Sequence, residues 1–481
     1  MEAIIKFLEP IVVNINTYLS NYVLIFLLFG TGIYFSIRTK FVQVRCFGEG
    51  MKKVFGGIKL FGGKKEGGLS SFQALATAIA AQVGTGNIVG ACGAILVGGP
   101  GAIFWMWVIA FFSMATIYAE AVLAQETKIT DTNGEIHGGP VYYIKKAYKG
   151  FFGKFLAVFF AIAIILALGF IGAMVQSNSI AQTSSTALGI EPWIIGAVLA
   201  IICAIIFIGG IKRIASVAEK IVPLMAVLYI ILGIIVLCIN IKVIPETFLI
   251  IFKYAFKPDA LLGGGIGTAI MAAISQGAKR GLFSNEAGMG STPHAHAQAE
   301  VEKPHDQGVV AMIGVFIDTF VVLTITALVV ISTLYAGNGP LSSGAYKGGT
   351  LIEGFLVNGI KLSNANAMQI AFGEHFGTTA GNVLIAICLM FFAFTTIIGW
   401  NFFAKINVQY LFKNNKVAII IFSVIAIGFI FLGGCIDKVN LVWDLADMFN
   451  NLMVIPNVLA LIPLASIVAK SAKKKYSNSL K

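Results

Sequence analysis

Charge is scarce in this chain. Only 12% of its 481 residues are Asp, Glu, Lys or Arg, against about 25% in ordinary soluble domains. With 58% hydrophobic residues, that shortage excludes a solvated single-core globule. Cysteine is equally thin. Cys46, Cys92, Cys203, Cys238, Cys388 and Cys435 are scattered, most of them within apolar runs, and no CxxC spacing occurs. They read as small buried hydrophobes rather than as a disulfide or metal framework. A charged n-region with a cleavage site is also lacking, so no removable signal peptide is expected. Alternating apolar and polar positions are missing from the long apolar runs, which excludes a β-barrel.

What the chain does have is continuous hydrophobicity. Many windows of 18 or more residues carry no charge, and each can cross a bilayer core of ~30 Å. The fold class is therefore an all-α polytopic membrane protein. Eleven spans are expected, over 20–37, 71–97, 100–124, 155–185, 193–210, 215–239, 263–290, 308–335, 378–411, 417–434 and 443–469. The net charge of +12 sits in a few loops, as the positive-inside rule expects, and no RNP-like or zinc-finger pattern points to nucleic acid. The loop after the first span carries Arg38, Lys40, Arg45, Lys52, Lys53, Lys59, Lys64 and Lys65. With that loop cytoplasmic, the N-terminus lies outside, the C-terminus inside, and most of the 34 basic residues fall inside.

The first span stands apart behind that loop, so 1–70 is read as a peripheral helix and basic loop. The other ten spans divide into two five-helix halves, 71–239 and 263–469, joined by an outside connection at 240–262 and followed by a basic tail, 470–481. The halves start from opposite sides, which is the inverted-repeat plan of many secondary transporters.

In such a plan the first helix of each half should be interrupted. The first contains Gly84-Thr85-Gly86-Asn87, glycine and polar groups placed at mid-span. The second, 263–297, meets Ser275, Gln276, Gly277, Lys279, Arg280 and Gly281, and the break is expected at 275–281. Unwound backbone frees groups that lipid does not satisfy, so it must face ligand, protein or water. Freed amides favour a carboxylate and freed carbonyls a cation, which suits a zwitterionic amino acid with a small monovalent ion. Taken alone, the glycines read equally well as close-packing positions. Thr395, Thr396 and Trp400 form a third polar feature, although membrane threonines usually bond back to their own helix. Gln176, Asn178 and Gln182 form a fourth, and such amides also serve as glue between helices.

VGTGNIVG followed by GGPGAIFWMW, GGPVYYI at 138–144, MVQSNS at 174–179 and RGLFSNEAGMGSTPHAHA at 280–297 together resemble the alanine or glycine:cation symporter family. These are prokaryotic inner-membrane proteins with the LeuT-type fold, a 5+5 inverted-repeat core. The resemblance spans essentially the whole chain. It implies uptake of alanine or glycine coupled to Na⁺ or H⁺ by alternating access. It also implies a sodium site built from the carbonyls of Ala80, Val83 and Phe392 with the hydroxyls of Thr395 and Thr396.

No Asp or Glu lies near residues 80–90 in sequence, which suits Na⁺ held by neutral oxygens better than a proton relay. For the substrate, Thr85, Gly86 and Asn87 are expected to meet the carboxylate and Gln176 the ammonium. Ser275, Gln276, Gly277 and Thr396 complete the pocket, with Trp400 and Phe170 as walls. Glu120 is expected either to hold freed amides of the second broken helix, to pair with Arg280, or to be an ordinary interfacial acid. Lys279 and Arg280 should face water or an acid such as Glu286, as a cytoplasmic gate. Asp318 is a buried acid without an identifiable partner, a proton or structural site. His294, His296 and His305 look incidental, since no Cys or acid completes a ligand set.

The function expected is a secondary transporter of a small neutral amino acid, with Na⁺ as coupling ion, no organic cofactor, no nucleic acid and no obligate protein partner. H⁺-coupled or exchange transport of another small amino acid is the alternative. An ion channel would want a continuous polar pore. An enzyme would want a nucleophile–base pair or metal set, and a nucleotide-driven pump a Walker lysine after GTGNIVG. None of these is found.

Overall fold

In the computed structural model, the residues described are 2–56, 69–130, 135–208, 210–256, 266–342, 355–357, 359–436 and 439–473. Lys59, Lys64, Lys65, residues 257–262 of the connection at 240–262 and the tail beyond 473 lie outside them.

All eleven predicted windows hold helix. In chain order these are α1 (Glu9–Arg38), then the short helix α2 (Phe47–Phe55) in the first loop, and the pair α3 (Ser71–Gln82) and α4 (Gly86–Gly98), bent by 48°. There follow α5 (Ala102–Thr127), α6 (Gly150–Leu188), α7 (Pro192–Ile208) and α8 (Arg213–Ile239). After α9 (Ile244–Phe256) come α10 (Ile266–Asn285) and the six-residue α11 (Pro293–Gln298). The chain continues through α12 (Pro304–Tyr335), α13 (Ala367–Phe376), α14 (Thr378–Leu411), α15 (Lys416–Cys435), α16 (Leu441–Leu461) and α17 (Ala465–Lys473). Among the described residues, seven helices are long and apolar enough to cross a membrane, or nine when each bent pair is one span. Two expected spans fall short of that test: α7 has only 17 residues, and α10 carries Ser275, Gln276, Lys279 and Arg280. The described strands are two short hairpins, Ile129–Thr130 with Ile136–His137 and Leu356–Val357 with Ile360–Lys361.

Local signals set the helix ends. Ser70 and Gln73 form a reciprocal capping box that starts α3, each side chain meeting the other's backbone N–H at 3.1 Å. Gly189, at φ +67°, ends α6. One parallel bridge, Leu69 with Ala299, ties the entrance of α3 to the end of α11.

The helices that carry the site lie innermost. α5 packs on α10, α12 and α1, and α14 on α6 and α3. α10 runs along α4, whereas α11 lies on α3, so the two interrupted helices lie side by side, half against half. The approach of α10 to its neighbours needs glycine: a Cβ on Gly277 would lie 2.9 Å from both the Ala102 carbonyl oxygen and Trp105 Cβ, and one on Gly98 would lie 2.8 Å from Gln276 Cβ. Small residues let membrane helices come this close.

Gly277→Ala is therefore expected to destabilise by roughly 1–3 kcal/mol, as overpacking does, and to leave the half-saturating substrate concentration of the folded fraction unchanged. Thermal unfolding in detergent with uptake in proteoliposomes checks both halves; an altered half-saturation at unchanged stability would put Gly277 in the binding site.

Candidate functional site

The first interruption begins where Val83 leaves the helix with φ −79° and ψ 89°. The freed end is met by α14. Thr396 Oγ1 lies 3.0 Å from the Ala80 carbonyl oxygen, 3.4 Å from that of Val83 and 3.1 Å from that of Phe392. Gly84 fills the junction: a Cβ there would collide with Thr396 Oγ1 and come within 3.2 Å of Gln176 Oε1. From α6, Gln176 Oε1 accepts the Thr85 N–H at 3.1 Å. That N–H only donates, so the amide oxygen of Gln176 must face it and the amide nitrogen points elsewhere. Gln176 Nε2 and Thr85 Oγ1 are both buried with no hydrogen-bond partner among the described residues. Asn87 turns back on the break, accepting the Gly84 N–H at 2.9 Å.

The second interruption is not at 275–281. Ser275, Gln276, Gly277 and Gly281 all lie inside the uninterrupted α10, with Gln276 and Gly277 engaged in the packing described above. The backbone leaves the helix at Glu286, φ +58°, and turns through Gly288 at +93° and Gly290 at +79° before α11 begins. Glu120 of α5 holds this turn: its carboxylate accepts the N–H groups of Gly288 and Gly290 at 3.0 Å each and Asn457 Nδ2 at 2.6 Å. Of the three readings of Glu120, the structure shows the one in which it satisfies freed amides. Gln276 lies ten residues before Glu286, where the positive φ begins, about 15 Å along a helix axis, so it stands well away from the break.

The two interruptions touch. A Cβ on Gly86 would lie 2.9 Å from Ser284 Cα. Asp318 of α12, fully buried, joins both: it accepts Asn87 Nδ2 at 2.6 Å, Ser284 Oγ at 2.9 Å and Thr319 Oγ1 at 2.8 Å. The acid absent from residues 80–90 in sequence is thus present in space. Glu286 accepts hydrogen bonds from Trp400 Nε1 and Ser291 Oγ. Phe283 meets Trp400 edge-on, centroids 5.6 Å apart, and packs on Trp443.

Other expected residues sit elsewhere. Phe170 stacks on Phe422 and Phe429 of α15 rather than opposite Trp400. Thr395 Oγ1 bonds back to the Phe391 and Phe392 carbonyls at 3.0 and 2.9 Å. Asn178 is helix glue, donating to the Gly433 and Ile436 carbonyls. Lys279 and Arg280 pair not with Glu286 but with Asp447 of α16, at 2.8 and 3.3 Å, and the Arg280 guanidinium lies 4.8 Å over Trp443. They precede the break, on the half of α10 that runs beside α4, so under the topology read from the loops they lie towards the outside rather than the cytoplasm. His294 and His296 are buried, bonded to Ser291 and Asn407 and to Gln307 respectively. Phe283, Ser284 and Asp447 were not singled out from sequence. The available signal was Glu-Ala-Gly-Met-Gly, an acid with two closely spaced glycines, a stronger chain-reversing pattern than the lone Gly277.

Two interrupted helices meet here, with buried polar atoms at the first break that lack a partner among the described residues, an arrangement that suits the enclosed site of a membrane transporter rather than an open pore. The model of the sodium:alanine symporter family matches residues 5–481, and the chain belongs to that family. It is 40% identical over 461 residues to the sodium/alanine symporter AgcS of Methanococcus maripaludis, covering 96% of this chain and 95% of that one. It is 39% identical over 476 residues to the probable sodium/glutamine symporter GlnT of Bacillus subtilis, covering 99% and 92%. Among solved structures, that of MhsT in complex with L-phenylalanine has a TM-score of 0.57 at 15% identity, covering 86% of this chain and 99% of that one. The fold is thus of the LeuT type, and the protein is a secondary transporter of an amino-acid symporter family.

Replacing Glu120 by Gln would set an amide NH₂ against donors that now meet a carboxylate. Leaving a buried group unsatisfied costs about 1–3 kcal/mol, so Glu120→Gln is expected to lower the unfolding temperature and the transport rate together. Unchanged unfolding and uptake would show that the Gly288–Gly290 turn holds without it.

Proposed function

We propose that this protein imports alanine or glycine with Na⁺ across a prokaryotic plasma membrane by alternating access. One observation carries the reading: three backbone carbonyls, of Ala80, Val83 and Phe392, converge on the Thr396 hydroxyl beside a break where Thr85 Oγ1 and Gln176 Nε2 are buried and, among the described residues, unpartnered. Neutral oxygens at the C-terminal end of a half-helix suit a hard monovalent cation. Ala80, Val83, Phe392 and Thr396 are the proposed Na⁺ ligands, and Thr395 adjoins them with its hydroxyl bonded to its own helix. The repeats are taken as 71–239 and 263–469, with the N-terminus outside and the C-terminus in the cytoplasm.

Gln176 takes the opposite role from the one its side chain first suggests. Its oxygen is engaged by Thr85, so the free amide nitrogen, a donor, is proposed to meet the substrate carboxylate together with the Thr85 hydroxyl and the Gly86 amide, whereas the Asn87 N–H is held by the Gly84 carbonyl oxygen at 3.2 Å. Phe283 and Trp400 are proposed to limit side-chain size in place of Phe170. The cross-link of Lys279 and Arg280 to Asp447 joins α10 to α16 beside this pocket and would have to open for passage on that side. One Na⁺ moving through ~100 mV supplies roughly 2.3 kcal/mol, enough for about 50-fold accumulation at ~1.36 kcal/mol per tenfold.

A second reading, H⁺ coupling, is favoured by one observation: Asp318 and Glu286, both fully buried, lie against the two breaks. Purified protein in liposomes, given labelled alanine or glycine with Na⁺ and proton gradients imposed separately, decides between them. Uptake is expected to follow the Na⁺ gradient; uptake following only the proton gradient favours the second reading, and uptake indifferent to both removes symport. Thr396→Val is expected to raise the half-saturating Na⁺ concentration about tenfold or more, the loss of a ~1.4 kcal/mol contact. Gln176→Leu is expected to raise that of the substrate similarly, with Na⁺ dependence retained. Unchanged values in both would remove these residues from the site.

A further inference from the structure

We propose that Cys46, Glu49 and His305 form a binding site for one thiophilic divalent cation of the Zn²⁺ class, separate from the transport pathway. The three residues offer a thiol, a carboxylate and an imidazole, and their ligand atoms all lie within 4.8 Å of one another. This is a mixed Cys, Glu and His set of the kind Zn²⁺ takes. Tetrahedral Zn²⁺ with bonds of 2.0–2.3 Å sets its ligands roughly 3.5 Å apart, so closure of about 1 Å completes the triad, with a solvent molecule as fourth ligand.

The surroundings favour such closure. Cys46 immediately precedes α2 and Glu49 lies in its first turn, three residues on, so both face the same way. His305 opens α12. The helices are pressed together at Gly50, where a Cβ would lie 2.7 Å from Ile313 Cγ1 and 2.8 Å from the Val309 carbonyl oxygen. His305 Nδ1 is engaged by the Tyr118 hydroxyl at 2.7 Å, and Nε2 is aimed at Glu49 Oε2, 3.4 Å away. An outer hydrogen bond that fixes the imidazole and presents its second nitrogen is a recurring part of metal sites.

Two cations neighbour the triad. Lys53 Nζ is 3.9 Å from Glu49 Oε1 but only 3.0 Å from Asp306 Oδ1, so it keeps a closer acid when a metal takes Glu49. Arg45 donates to the Thr39 and Ala472 carbonyls. Cys46 and His305 are buried at 7% and 4% exposure, and the partly exposed Glu49 provides the way in. Sequence concealed the set, because His305 stands 256 residues from Glu49. A bound metal would staple α2, in the loop ahead of the first interrupted helix, to α12.

The test is titration of the tag-free, detergent-solubilised full chain with Zn²⁺ by calorimetry and with Cd²⁺ by ultraviolet absorbance. One equivalent per chain is expected, with a thiolate-to-Cd²⁺ charge-transfer band. Cys46→Ser should abolish the band, and Glu49→Gln and His305→Ala should each weaken Zn²⁺ binding at least tenfold. His375→Ala, outside the site, should change neither. Saturation without the thiolate band in the unaltered protein, absence of saturable binding, or binding unchanged in Cys46→Ser and His305→Ala would each overturn the proposal. The band in the unaltered protein is informative even where a variant does not fold.

Discussion

A backbone that leaves its helix inside a membrane must find partners at once, because hydrocarbon supplies none. Here the requirement is met twice and by different means. At the first interruption, neutral side chains close the account: Asn87 takes the Gly84 N–H and Gln176 that of Thr85. At the second, a charged group is brought in, and Glu120 receives two amides and the Asn457 side chain. The architecture around both breaks follows from this requirement, since α5, α6 and α14 must each stand where its polar residue reaches a freed group.

The same constraint makes the two breaks interdependent. Asp318 takes hydrogen bonds from Asn87 at one and Ser284 at the other, and Gly86 lies against the Ser284 backbone. A displacement of either interrupted helix therefore disturbs the acceptor set of the other. Trp400 belongs to this arrangement through Glu286, so α14, which also lies against the Ala80 and Val83 carbonyls through Thr396, touches both breaks. A cation beside Thr396 and an amino acid beside Thr85 would act on one shared piece of structure.

Much of this was legible in the sequence. Continuous apolar windows marked the helices, and Gly84-Thr85-Gly86-Asn87 marked the first break, because glycine and polar groups coincide there at mid-span. The second break was misplaced because Gln276, Gly277 and Gly281 share that composition while performing another task. Composition does not distinguish a glycine that yields to a neighbouring helix from one that reverses the chain; only φ does, and Gly288 and Gly290 have it. Partners distant in sequence were hidden for a simpler reason. Asp447 is 167 residues from Arg280 and Asp318 is 231 from Asn87, separations that no local pattern bridges. Where the expected geometry differed, Phe170 faced another side of its helix than hydropathy could specify, and Glu286 had already left the helix that carries Lys279 and Arg280.

The parallel bridge between Leu69 and Ala299 has its own mechanical meaning. Its two hydrogen bonds, Leu69 N–H to the Gln298 carbonyl and Glu300 N–H to the Leu69 carbonyl, at 3.0 and 3.1 Å, rivet the foot of α3 to the foot of α11. The two half-helices on that side of the breaks are thereby tied at their ends, each leading into its own turn, at 83–86 and at 286–292. An opening on that side that keeps these two bonds moves both feet together.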